Sequence, residues 1–204
     1  MNNTLSPQQK NILSRQHWVF DMDGTLTVGV HDFSMMRDEL GLAPDAAILE
    51  TVQAMPPAQA APLWDKINAM EYHFASLAQP MPGAAELLER LHNRGAKLGI
   101  LTRNVMPVAL ETLKACHLDG FFDVCDILDR DSCTPKPHPA GINFLLQQWQ
   151  ADTDDSVMVG DYLFDLEAGK AANVATVHIN TMAQHPWPHA TDWGIHNLHQ
   201  LMEQ

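Results

Sequence analysis

The 204-residue chain, with 46% hydrophobic and 18% charged residues, has the composition of a globular protein with one substantial domain, or one domain plus a small insertion, which excludes an intrinsically disordered chain. Twelve basic residues against twenty-five acidic ones give a net charge of −13, which argues against nucleic acid and anionic membrane surfaces as partners. No apolar run reaches the roughly 20 residues of a membrane span and the first residues lack a signal-peptide core, so a soluble cytoplasmic protein is expected, monomeric or homodimeric. Cys116, Cys125 and Cys133 lack metal-like spacing and are read as reduced thiols.

In chain order, Ser6 and Pro7 read as the N-cap and first residue of a short leader helix, and "HWVFD" as a buried strand. From about Val28 to Gln79 the pattern turns helical, with "DFSMMRDEL", "PDAAILETVQAM" and "AQAAPLWDKINAMEYHFASLA" separated by Gly41, Pro44 and Pro56-Pro57. After Pro82-Gly83 helices and strands alternate. Helix "AAELLERLHNRG" precedes strand "KLGILT", a helix runs from Val105 to Cys116, and a short strand is expected around "FDVCDI". A helix from Pro139 to Trp149, strand "SVMVGD", helix "YLFDLEAGKAAN", strand "VATVHI" and a final "TDWGI" follow. This alternation predicts an α/β fold with a parallel sheet between helical layers, so ligands should bind beyond the carboxyl ends of the strands.

Polar residues gather at those ends. In "WVFDMDGTLT" Asp21 and Asp23 follow the first strand and point to one side of an extended chain, an arrangement that costs stability unless a cation sits between them. Thr102 ends "KLGILT", Asp161 ends "SVMVGD", and Lys136 lies in "TPKPHP". If the ligands are a divalent cation such as Mg2+ and a phosphate, each has a role. Asp21 and Asp161 supply metal-binding carboxylates, and Asp23 its backbone carbonyl. Asp165 either holds a coordinated water or orients Lys136. Thr102, the Arg103 and Asn104 amides and the Lys136 ammonium donate to phosphate, with Gly24, where the chain turns, assigned beside them. Asp21 is then read as the nucleophile that forms an aspartyl-phosphate, and Asp23 as the acid/base.

The ordered motifs "DMDGT", "LTRN", "PKPHP" and "GDYLFD" resemble those of the haloacid dehalogenase superfamily of phosphohydrolases, and they span Asp21 to Asp165. The resemblance implies a Rossmann-like three-layer core, here residues 1–27 and 80–204, a magnesium cofactor, and a cap covering the site, here the all-helical insertion 28–79. Within the superfamily it is nearest to phosphoglycolate-phosphatase-like enzymes, although the cap is short for that group. The expected activity is Mg2+-dependent hydrolysis of a small phosphorylated metabolite. A phosphosugar mutase would use the same motifs, and a phospho-receiver domain has a comparable acidic site but no helical insertion. A metal-free dehalogenase would lack Asp23. The cap is acidic, so a second anionic group on the substrate would depend on Arg37, Lys66, His31 or His73, and a neutral remainder fits better. Cap hinges are expected near Val28-Gly29 and Pro80–Gly83. The His185/His189 and His196/His199 pairs lack the partners of a zinc site and are read as surface or capping histidines.

Overall fold

The computed structural model describes residues 5–28 and 33–202; the Gly29 half of the expected hinge and His31 lie outside them. Helix α1 (Pro7–Ser14) begins with a reciprocal capping box, in which Gln9 N–H donates to Ser6 Oγ (3.3 Å) and Ser6 N–H to Gln9 Oε1 (2.8 Å). Strand β1 (His17–Phe20) follows. The chain then forms α2 (Phe33–Leu40), α3 (Ile48–Gln53), α4 (Pro57–Leu77) and α5 (Ala84–Asn93) before β2 (Lys97–Leu101). Helix α6 (Met106–Ala115), β3 (Ile127–Leu128), α7 (Ala140–Trp149), β4 (Ser156–Gly160), α8 (Leu163–Ala171), β5 (Ala175–Ile179) and β6 (Trp193–Ile195) complete the chain.

Among the described residues six strands form one parallel sheet, in the order β3-β2-β1-β4-β5-β6. Side chains alternate between the two faces of a strand, and the core divides accordingly. Trp18, Phe20, Val157 and Val159 face one apolar layer with Leu87, Leu88 and Leu113 of α5 and α6. Val19 and Met158, one position away in each strand, face another with Ile142, Leu145 and Ala168 of α7 and α8. Both layers are buried, which is why these strands read as continuous apolar runs.

Helices α2, α3 and α4 enclose a third apolar cluster of Met36, Leu40, Val52, Ile67 and Phe74. The chain leaves the sheet for these helices and returns to it at adjacent points: Val28 N–H donates to Gln79 O (2.9 Å) and Met81 N–H to Leu26 O (2.8 Å). Helix α4 packs against α6 of the α/β part. No helix among the described residues is long and apolar enough to cross a membrane.

The strand expected around "FDVCDI" is displaced. Val124–Asp126 form a 3-10 turn, and the strand is only Ile127–Leu128. Asp126 explains the shift: its N–H donates to Asp123 O (2.9 Å), while its buried Oδ1 accepts from Gln148 Nε2 (2.6 Å) and Trp149 Nε1 (2.8 Å). Those bonds hold a turn where an edge ladder would need an extended chain. Helix α3 is likewise shorter than the "PDAAILETVQAM" pattern, because a turn from Ala43 O to Ala46 N–H (3.0 Å) precedes it.

Candidate active site

The sheet order reverses direction at β1 and β4, which lie side by side, and in open parallel sheets the crevice beyond such a switch point receives ligands. Asp21 directly follows β1 and Asp161 directly follows β4, so both lie at that crevice. Two glycines make room for the carboxylates. Gly24 has φ +85°, and a Cβ there would collide with the Asp161 carboxylate. A Cβ on Gly160 would collide with the side chain of Asp165.

Lys136 joins the carboxylates. Its ammonium, on a side chain 3% exposed, donates to Asp21 Oδ1 at 2.5 Å and lies 2.6 Å from Asp165 Oδ1. The second oxygen of Asp165 accepts from Tyr162 N–H (3.0 Å), so this residue both caps α8 and holds Lys136. The loop carrying Lys136 is constrained by Pro135, Pro137 and Pro139, with a turn from Pro135 O to His138 N–H at 3.0 Å.

Asp23 lies beside this group. Asn104 Nδ2 donates to its Oδ2 at 2.7 Å, and Thr27 Oγ1 lies 3.5 Å from its Oδ1. Thr102, 3% exposed, accepts Asn104 N–H at 3.1 Å. The Asn104 amide therefore faces the Thr102 hydroxyl, and its side chain reaches across to Asp23. Helix α6 begins at Met106, whose N–H donates to Asp129 Oδ2 (2.9 Å). The Arg103 side chain turns outward, pairing with Glu50 of α3 and lying over the Phe164 ring at 5.7 Å.

Burial first, and charge crowding after it, set the electrostatics. Burial pushes the Asp21 carboxyl up to about 6, with Lys136 opposing the rise and Asp165 adding to it. Burial, then the charges of Asp21 and Asp165, push Asp161 up to about 8 against the pull of Lys136. Burial works against the Lys136 charge, yet Asp165 and Asp21 hold its pKa above the ordinary lysine value. Oxygens of Asp21, Asp161 and Asp165 all lie within 4.8 Å of one another. One ammonium does not offset three carboxylates, and an oxygen-only donor set with surplus negative charge fits a hard divalent cation. The Asp161 carbonyl is itself positioned: His178 Nε2–H donates to it at 3.1 Å, and His185 Nδ1 lies 2.9 Å from His178 Nδ1.

Four contributions to this region are not given by the motifs. Asn104 was read for its amide, while its side chain holds Asp23. His178 sits on β5 inside "VATVHI", where it reads as a strand residue. Arg130, partly buried in the loop after β3, pairs at 3.1 Å with buried Glu71 of α4. The signal for Arg130 was its place just beyond a strand end; Glu71 gave none beyond being an acid within a helical stretch.

Comparison with known proteins agrees with this geometry. The profile of the haloacid dehalogenase-like hydrolases matches residues 40–179. A pyrophosphatase PpaX from Listeria monocytogenes serotype 4b is 31% identical over 181 residues, covering 79% of this chain and 81% of that protein. A hydrolase from Pseudomonas syringae superposes with TM-score 0.77 at 22% identity, over 92% of this chain and 96% of that one. A predicted phosphoglycolate phosphatase from Haemophilus somnus does so with TM-score 0.71 at 20% identity, over 93% and 97%. The chain belongs to the haloacid dehalogenase-like hydrolases.

Proposed function

We propose that the protein is a Mg2+-dependent phosphomonoesterase that acts on a small phosphorylated metabolite through an aspartyl-phosphate on Asp21. The observation that carries this reading is the pairing of buried Asp21 with Lys136 at 2.5 Å, with Asp23 held separately by Asn104 at 2.7 Å. One carboxylate is thus fixed next to a cation that can also receive phosphate oxygens, and the other is aimed by a neutral donor.

In the first step an oxygen of Asp21 attacks phosphorus and the bond to the ester oxygen breaks. Asp23 protonates the departing alcohol. In the second step Asp23 takes a proton from water as that water attacks the aspartyl-phosphate, releasing phosphate and restoring Asp21. Thr102 and Lys136 donate to the phosphoryl oxygens, and Asp165 keeps the ammonium in place. Asp21, Asp161 and the Asp23 carbonyl would hold the Mg2+, which supplies charge neutralisation between carboxylates and phosphoryl oxygens. Helices 33–77 form a cap over this edge, joined to the core through residues 28 and 79–83. The relatives named pyrophosphatase make inorganic pyrophosphate a substrate to test beside monoesters.

The test is turnover of a phosphate-ester panel in excess chelator and after Mg2+ is restored, with acid trapping of phosphoprotein. Activity should vanish and return, and Asp21→Asn should trap no phosphate. Full activity in chelator, or phosphoprotein in the Asp21→Asn variant, would overturn the proposal.

A further inference from the structure

Glu71 sits on α4 at the seam with the α/β part, 5% exposed. Its Oε1 accepts from Arg130 Nη1 at 3.1 Å, and its Oε2 is buried with no hydrogen-bond partner among the described residues. Arg130 makes further contacts: Nη2 donates to Asn68 Oδ1 at 2.8 Å, and the guanidinium lies over the Trp64 ring at 5.1 Å. The Arg130 N–H donates to Asn104 O at 3.1 Å, and Asn104 in turn holds Asp23. Glu71 is thus three links from the group assigned to protonate the leaving alcohol. Burial pushes its carboxyl up to about 7, with Arg130 opposing and the charge of Asp23 adding to the rise, so Asp23 and Glu71 sense each other.

A buried acceptor without a donor is costly, and a ligand that brings the donor recovers that cost. Among the described residues, Arg103 and the cations of α2 and α4 are engaged with other parts of the protein. Arg103 pairs with Glu50, Arg37 donates to Ala46 O at 3.1 Å and Phe33 O at 3.0 Å, and Lys66 donates to Glu39 O at 3.3 Å. Resting on the phosphomonoesterase reading, we propose that Glu71 is a specificity-determining residue whose Oε2 accepts a hydrogen bond from a hydroxyl or ammonium on the leaving group. The site then favours phosphorylated polyols or amino alcohols over substrates carrying a second phosphate or a carboxylate.

The experiment compares kcat/KM with Mg2+ for p-nitrophenyl phosphate, glycerol 1-phosphate, phosphoethanolamine and pyrophosphate, in the parent protein and in Glu71→Gln. The parent should prefer the donor-bearing esters to pyrophosphate by about tenfold or more. In the variant, phosphoethanolamine should fall by roughly tenfold or more, because a hydrogen bond between charged partners is lost, and glycerol 1-phosphate by less. p-Nitrophenyl phosphate, whose leaving group carries no donor, should stay within about twofold, and the rank of pyrophosphate should rise. A uniform fall for all four substrates would make Glu71 merely a structural strut, and an unchanged ranking would equally overturn the inference. If the variant does not fold, the parent ranking decides, and a preference for pyrophosphate refutes the proposal. A parent protein inactive on every substrate would instead overturn the phosphatase reading and this inference with it.

Discussion

Replacing Lys136 with Met removes the ammonium that touches both Asp21 and Asp165 while keeping much of the side-chain volume. Lys136 and Asp165 side chains are each 3% exposed and Asp21 12%, so water screens little of the loss. Removing one partner of a buried ion pair costs about 3–5 kcal/mol, and that range is expected at pH 8 in chelator. The pH dependence gives a sharper signature. Lys136 lowers the pKa of Asp21 from a higher value to about 6, and it also lowers that of Asp161. Without it both folded-state values rise, so the folded variant binds protons the parent has released. A raised folded carboxyl pKa means stability is lost as pH rises, so the deficit should grow above pH 6 and shrink below it. Each carboxyl affected contributes about 1.4 kcal/mol per pH unit between its parent and variant pKa. Urea unfolding of both proteins from pH 5.5 to 8 measures the difference. A deficit independent of pH, or smaller than about 1 kcal/mol at pH 8, would refute the account of this site as a carboxylate cluster held by one lysine.

The roles assigned to Asp21 and Asp23 separate by leaving group. Asp23→Asn should slow alkyl phosphates by roughly 10² to 10⁴, but with p-nitrophenyl phosphate it should give a burst near one product per site followed by slow turnover; alkyl ester turnover at the parent rate, seen by rapid mixing, would refute the assignment. Gly24→Ala forces a side chain into φ +85° and against the Asp161 carboxylate, so stability should drop by about 1–2 kcal/mol and apparent Mg2+ affinity by about tenfold. Calorimetric Mg2+ titration showing unchanged affinity would mean that Asp161 does not hold the cation.

The fold was legible where the period of the pattern was strong. The apolar runs of β1, β4 and β5 and the amphipathic α5 are dictated by two buried sheet faces, and their places followed from the sequence alone. The strand β3 was misplaced because two residues, Ile127 and Leu128, are too short a signal, and because the buried carboxylate of Asp126 outweighs the strand propensity of the residues before it.

The candidate site divides along a similar line. Asp21, Asp23, Thr102, Asp161 and Asp165 are legible as candidates because each is tied to a strand end or to the first turn after one, and a parallel sheet brings those positions to one edge, whereas Lys136 is marked by its proline-rich loop before α7. Arg130 also lies just beyond a strand end, but nothing of the kind marks Glu71, and no local rule pairs the two. They are 59 residues apart, one within a 21-residue helix and the other in an irregular loop. Their meeting depends on how α4 lies against the α/β part, and helix-on-core packing is set by many apolar contacts that leave no local motif. The carboxylates and lysine of the candidate site can therefore be read from short motifs, whereas the discrimination proposed for Glu71 rests on a pairing across a packed seam. The buried, half-paired carboxylate of Glu71 is the kind of residue a motif reading passes over, and its missing partner becomes evident only once burial and hydrogen bonding are known.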